Sequence, residues 1–167
     1  MQSNNNVKDA VHNALRSMRD SGFAISGKLE ASVDADLPFM GYSTQRAGGN
    51  VIVVAGRAVE SGMIEGLLIH ELCHIYRTEK NHPSHNKDLL NRVGHKVILG
   101  FLLKRDYQIR IIRQAVNRIQ DLYADDISFQ IFKKSQIFTP EQAQAFFLDW
   151  INDTPAKAKA SKADGST

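Results

Sequence analysis

Two histidines four residues apart, in the run His70-Glu71-Leu72-Cys73-His74, are the residues of this chain best spaced to do chemistry. On a helix, positions four apart are separated by about 40° and one turn, so both imidazoles can reach a single ion. Glu71 falls on the flank of that face, an awkward ligand but well placed to hold a water bound to the ion. Neutral imidazoles suit Zn²⁺, and the neighbouring carboxylate suits a general base that takes a proton from that water and passes it on.

A catalytic zinc site usually takes three protein ligands and leaves a fourth position open. Two stretches offer the third. In Arg118-Ile119-Gln120-Asp121-Leu122-Tyr123-Ala124-Asp125, the two aspartates stand one turn apart on a predicted helix. Like charges at that spacing repel unless a cation or an imidazole N–H compensates. Asp121 as a ligand, with Asp125 orienting a liganding imidazole from behind, resolves the conflict. In His82-Pro83-Ser84-His85, the alternative third ligand is His85, or His82, entering from the start of the next helix. The residues leave both choices open.

The elements that must position these groups are legible in the hydrophobic pattern. Residues 7–21 form an amphipathic helix ended by Gly22, and Lys28 to Asp34 alternates as a strand, followed by a weaker extended stretch over 37–43. After the turn at Gly48-Gly49-Asn50, Val51-Ile52-Val53-Val54-Ala55 is the clearest strand. The motif lies on a helix from about Val59 or Ser61 to Arg77. Its Ile64, Leu68, Leu72 and Ile75 fall opposite the histidines, which are therefore expected to look outward into a cleft. Ser84 is expected to cap a helix running from His85 to about Lys104. A long helix over about 106–134 carries two apolar rows, Ile109/Ile112/Val116/Ile119/Tyr123/Ile127 and Ile111/Ala115/Leu122/Phe129/Phe132, which predicts a helix wedged between partners. Asp126 falls among the first row and is expected to need an arginine. Thr139-Pro140-Glu141-Gln142 is a capping box opening a last helix.

At 167 residues with 43% hydrophobic content, the chain suits one domain over residues 1–152. Residues 153–167, rich in Ala, Lys, Ser and Gly, hold too little apolar surface to order themselves and are expected to form a disordered tail. The single cysteine, Cys73, excludes a disulfide framework and fits a cytoplasmic setting, where it is expected to be a small buried side chain. No stretch reaches the ~20 apolar residues of a membrane span, so a soluble protein is expected. The formal charge of +3 is mild, and Arg105, Arg110, Arg113 and Arg118 are spread along a helix with apolar residues between them. A solvated face is the expectation there, and nucleic acid is an unlikely partner.

The strand Gly49 to Val54, the His70-Glu71-Leu72-Cys73-His74 helix and the later Arg118-x-x-Asp121-x-x-Ala124-Asp125 pattern together resemble the gluzincin peptidases of the HtpX and CAAX-prenyl endopeptidase lineage, over about residues 40–130. Asp121 stands where those enzymes carry glutamate, one methylene longer, and their membrane helices are missing. The His85-x-x-x-Leu89 segment is similar to SprT-type metalloproteases, in which a third histidine opens the following helix. The resemblance implies an α+β fold, a mostly helical zincin-like domain with a small β-sheet before the active-site helix. It also implies a zinc metallopeptidase acting on a peptide or protein substrate, with His70, His74 and Asp121 (or His85) on the metal, Asp125 behind them and Glu71 catalytic. The resemblance would make Val51 to Ala55 the cleft-edge strand to which substrate adds, whereas the apolar run by itself reads as a core strand. Two other readings are a zinc-stabilised binding module without turnover and a nucleic-acid-associated SprT-like protease.

Overall fold

The computed structural model describes residues 2–99 and 105–152. The expected tail at 153–167 and the end of the helix expected to reach Lys104 lie outside them. Within the described residues the fold is α+β, mainly helical with one three-stranded mixed sheet. The chain divides into two compact units, Met1–Ile137 and Phe138–Thr167.

The first unit opens with α1 (Gln2–Asp20), which buries Val7, Ala10, Ala14 and Met18 along one face. Strands β1 (Leu29–Asp34), β2 (Gly41–Arg46) and β3 (Gly49–Ala55) follow. β3 lies in the middle, parallel to β1 and antiparallel to β2. The turn from β2 into β3 depends on Gly49, at φ +141°, where a Cβ would sit 2.7 Å from the Lys28 carbonyl oxygen.

The central place of β3 agrees with the core strand that the apolar run predicts and overturns the cleft edge that the resemblance implies for Val51 to Ala55. All five side chains are buried, and both edges of the strand are paired. An unbroken β-branched run is what burial on both faces demands. Among the described residues the outer strands are β1 and β2, and β2 packs on the motif helix.

The motif helix starts later than its pattern predicts. A short helix, α2 (Gly56–Glu60), ends where the Ser61 hydroxyl donates to the Ala58 carbonyl at 2.8 Å. Gly62 then takes φ +70°, a left-handed conformation no helix can continue through, and α3 (Ile64–Glu79) begins afresh. A 3₁₀ turn, Pro83–His85, leads into α4 (Lys87–Leu99). The cap of α4 is Asn86, whose Oδ1 accepts the Leu89 N–H at 2.8 Å, and not Ser84, which belongs to the turn.

The long helix α5 (Arg105–Ser135) packs on α3 and also meets α4 and α1, but most of its second apolar row faces solvent. It buries Gln108, Ala124, Ile127, Ser128, Ile131 and Phe132, whereas Leu122 and Phe129 of the second row are 67% and 56% exposed. The deciding feature is small residues. Ala124 and Ser128 are fully buried, and the Ser128 hydroxyl donates to the Cys73 sulfur at 3.5 Å, so α5 approaches α3 closely. Cys73 is buried as expected, and burial pushes its thiol up to about 12 despite the Ser128 hydrogen bond. Arg77 ties the two helices further, donating to the Tyr123 carbonyl at 3.2 Å and pairing with Asp126 at 3.3 Å. That pair supplies the arginine expected for Asp126. Tyr123 itself is 41% exposed, with Arg77 over its ring.

The C-terminal end of α3 is tied to the sheet by one carboxylate. Glu79 accepts the Ser26 and Gly27 N–H groups at 2.7 and 2.9 Å and the Asn50 amide at 3.0 Å. Burial works against its charge, but these hydrogen bonds outweigh it and lower its pKa below 4.5. The stability it contributes is therefore present above pH 4.5 and is lost as pH falls through the lowered value. Because the group is only partly buried, Glu79→Ala should cost about 1 kcal/mol at neutral pH in urea unfolding. An unchanged midpoint would show that the tether carries no weight.

In the second unit, α6 (Pro140–Asn152) is opened by the expected capping box. The Thr139 hydroxyl accepts the Gln142 N–H at 3.2 Å and the Gln142 side chain accepts the Thr139 N–H at 2.9 Å. No helix among the described residues is long and apolar enough to cross a membrane.

Candidate metal centre

α3 is buried almost without interruption from Gly66 to Cys73, including His70 at 1% exposure and Glu71 at 4%. The expectation of two outward-looking histidines therefore holds only for His74, which is half-buried. His70 is covered because α5 crosses over it. A helix apolar on nearly every side is enclosed on nearly every side.

The rings nevertheless converge. His70 Nε2 lies 3.0 Å from His74 Nε2, and His74 Nε2 lies 3.5 Å from Asp121 Oδ1. One donor atom from each of His70, His74 and Asp121 falls within 4.8 Å of the others. Two nitrogen ligands bound tetrahedrally to zinc stand about 3.3 Å apart, so these spacings match a shared ion. The fit is also electrostatic. Burial disfavours a charged His70, but its hydrogen bond to Asp125 and the charges of Glu71, Asp125 and Asp121 outweigh burial and raise its pKa above 6.5. Three carboxylates thus make this pocket favour positive charge, which a divalent cation supplies better than a proton.

Asp125 lies where orientation needs it. Its Oδ1 accepts the His70 Nδ1–H at 2.8 Å and so fixes the ring with Nε2 turned toward His74. Asp121, at 37% side-chain exposure, borders solvent, so the group is closed on the His70 side and open on the Asp121 side.

His85 reaches the group differently. Its Nε2 lies 2.8 Å from His74 Nδ1, the opposite nitrogen from the one facing His70 and Asp121. Its Nδ1 lies 2.8 Å from the Ser84 hydroxyl, which lies 2.8 Å from His82 Nδ1. Burial, aided by His74, His82 and Arg77, lowers the His85 pKa to about 3, so the ring is neutral at ordinary pH. His82 does not join the donor cluster and instead lies against Tyr123, 4.9 Å between ring centres with the planes tilted by 52°. His12 and His95 are exposed on other helices. Sequence reasoning named every residue of the cluster, but it missed Ser84 as the link between His82 and His85, which only the tight Pro83–His85 turn creates.

A family model matches residues 14–164, described as a family of unknown function (DUF5781). No curated protein and no solved structure matches the chain.

Proposed function

The chain belongs to this family, and from that premise we propose that it is a zinc-dependent metalloendopeptidase in which Glu71 is the general base. The observation that carries the reading is the convergence of His70 Nε2, His74 Nε2 and Asp121 Oδ1 on one point beside a buried glutamate. His70, His74 and Asp121 would hold the ion, with Asp125 fixing the His70 ring. When bound, Zn²⁺ supplies a Lewis acid that makes water acidic enough to act as a nucleophile near neutral pH. Glu71 accepts the proton of the attacking water on a carboxylate oxygen and delivers it to the leaving amine.

The likeness to gluzincins gains support from how the shorter aspartate is accommodated. A side chain lacking one methylene must be brought nearer, and the small residues at the α3–α5 crossing, Cys73, Ala124 and Ser128, allow that approach. For an extended peptide, β2 and not β3 offers the edge to pair with. It is an outer strand, antiparallel to its neighbour and packed on α3, so main-chain hydrogen bonds remain available along its far edge.

Calorimetric titration of the metal-free chain with zinc should give one site. Thermal unfolding should rise on zinc addition, by about 4 kcal/mol of stability at a free-zinc level roughly 1,000 times the dissociation constant. Affinity should increase with pH through the raised pKa of His70, because the ion must displace a proton there. The loaded protein should cleave an unfolded protein substrate, and EDTA should stop it. A chain that takes up no zinc at pH 8 would refute the reading.

A further inference from the structure

The positive charge of this chain is gathered in one place. Residues 87–119 hold eight Lys or Arg against two Asp, a net +6 in a chain whose total is +3, so the remainder is net acidic. Exposed apolar side chains lie in the same stretch: Val93 on α4, and Tyr107, Ile111 and Ile119 on α5, at 50%, 36%, 43% and 45% exposure. We infer that one side of the α4–α5 pair is a docking surface for a bilayer rich in anionic lipid, on which the helices lie without crossing it. The inference stands apart from the metal reading above.

One contact puts charge and apolar surface together. A Cβ on Gly94 would lie 3.5 Å from Ile112 Cγ2, so α4 and α5, separated by five residues of chain, run back along each other with these two positions in contact. In two antiparallel helices, residues the same number of positions before the contact turn to the same side. Val93 and Ile111, each one residue before it, therefore share a side. Tyr107, Ala115 and Leu122 fall within about 40° of Ile111 round the helix. All three are exposed, Leu122 by 67%. Asp88 and Asp106, each six residues before the contact, turn to the opposite side, so neither carboxylate of this stretch lies on the apolar one. Arg118 falls on the apolar side, about 20° from Ile111, and Lys96 borders it. The Arg110 guanidinium, 5.2 Å over the Tyr107 ring, is turned toward it. Ile127 and Ile131, buried in the core, lie about half a turn round from Ile111, so this surface looks away from the body of the protein.

A bilayer suits both chemistries at once. Apolar side chains enter the acyl boundary while Arg and Lys reach the phosphate headgroups, and each cation near an anionic surface strengthens binding about fivefold. Nucleic acid would meet the arginines but leave Val93, Ile111 and Leu122 against phosphate. A second copy on the same side would set Lys96, Arg110 and Arg118 against their like.

The test is co-sedimentation of the full chain with vesicles of phosphatidylcholine, alone or mixed with phosphatidylglycerol. Binding should be roughly tenfold tighter or more to the mixed vesicles at low salt and should fall as salt rises. Arg118→Gln should weaken it about fivefold, and Arg113→Gln, the same change on the opposite side of α5, much less. Ile111→Ser combined with Leu122→Ser leaves the charge alone and should weaken it roughly tenfold. These four positions are exposed, and an unchanged thermal midpoint shows that each variant is folded. No binding to the mixed vesicles would overturn the inference. Equal losses for Arg113→Gln and Arg118→Gln, or no loss on removing the two apolar groups, would reduce it to unoriented charge attraction and overturn the docking surface. Tighter binding to single-stranded RNA than to vesicles, or self-association in sedimentation velocity that Leu122→Ser abolishes, would give the face to another partner and overturn it too.

Discussion

Replacing Glu71 by Gln is expected to lower kcat for cleavage of an unfolded protein by roughly 10²–10⁴-fold while zinc still binds one to one. The substitution keeps the size of the side chain and one carbonyl oxygen, but the amide cannot take up a proton at neutral pH. Glu71 is 4% exposed and lies in the middle of α3, so the change is made inside a packed helix and the site geometry should persist. The removed charge is one of those raising the His70 pKa, so metal affinity should move only modestly, since lost attraction and weaker proton competition act in opposite directions. KM should stay close to its original value, because Glu71 acts on the proton and not on the peptide. This comparison also decides between the peptidase and a zinc-stabilised binding module. The module needs no base, so it would show no cleavage in either protein and equal zinc affinity in both. Undiminished cleavage by the variant would remove Glu71 from the chemistry.

Asp121→Ala should cost the protein most of its metal affinity, well beyond the roughly 10–100-fold loss expected for Asp125→Ala. The two aspartates are chemically identical and one turn apart, and what separates them is direction. Asp121 Oδ1 faces His74 Nε2 at 3.5 Å, on the side where an ion would sit, whereas Asp125 Oδ1 faces His70 Nδ1 at 2.8 Å, behind the ring. Removing Asp121 deletes a ligand; removing Asp125 releases a ring that still carries its lone pair. Competition with a chromophoric chelator measures both. Equal losses for the two variants, or a larger loss for Asp125→Ala, would reverse the assignment of roles. Asp121 is partly in solvent, so its removal leaves no buried hole, and the loss of metal should come without loss of fold.

Much of this site was legible before any coordinates, because its signal is local. Four-residue spacing puts His70 with His74 and Asp121 with Asp125 on single helix faces, and two such faces need only meet. What the pattern could not supply was which faces meet. α5 is apolar on two sides, so hydrophobicity alone does not choose between Leu122/Phe129 and Ile127/Ile131. The choice is made by Ala124 and Ser128, small residues whose weight lies in how near they let a neighbour come. His70 is enclosed rather than outward-facing for the same reason, since a covering helix from elsewhere in the chain leaves no mark on the periodicity of α3. β3 was recognised as a strand, but its central place follows from pairing with two other segments. α3 starts later than its pattern predicts because the left-handed backbone at Gly62 interrupts a sequence that reads as continuous.

The tether between Glu79 and the Ser26-Gly27-Asn50 corner reaches beyond static stability. Helices unravel from their ends, and His74 lies five residues inside the end of α3, whereas His70 lies a further turn within. Of the two imidazoles, His74 is therefore the first to be loosened when the terminal turns come undone. The residence time of a bound cation would then be governed by a brief local opening rather than by global unfolding, with Glu79 as the latch that keeps such openings rare.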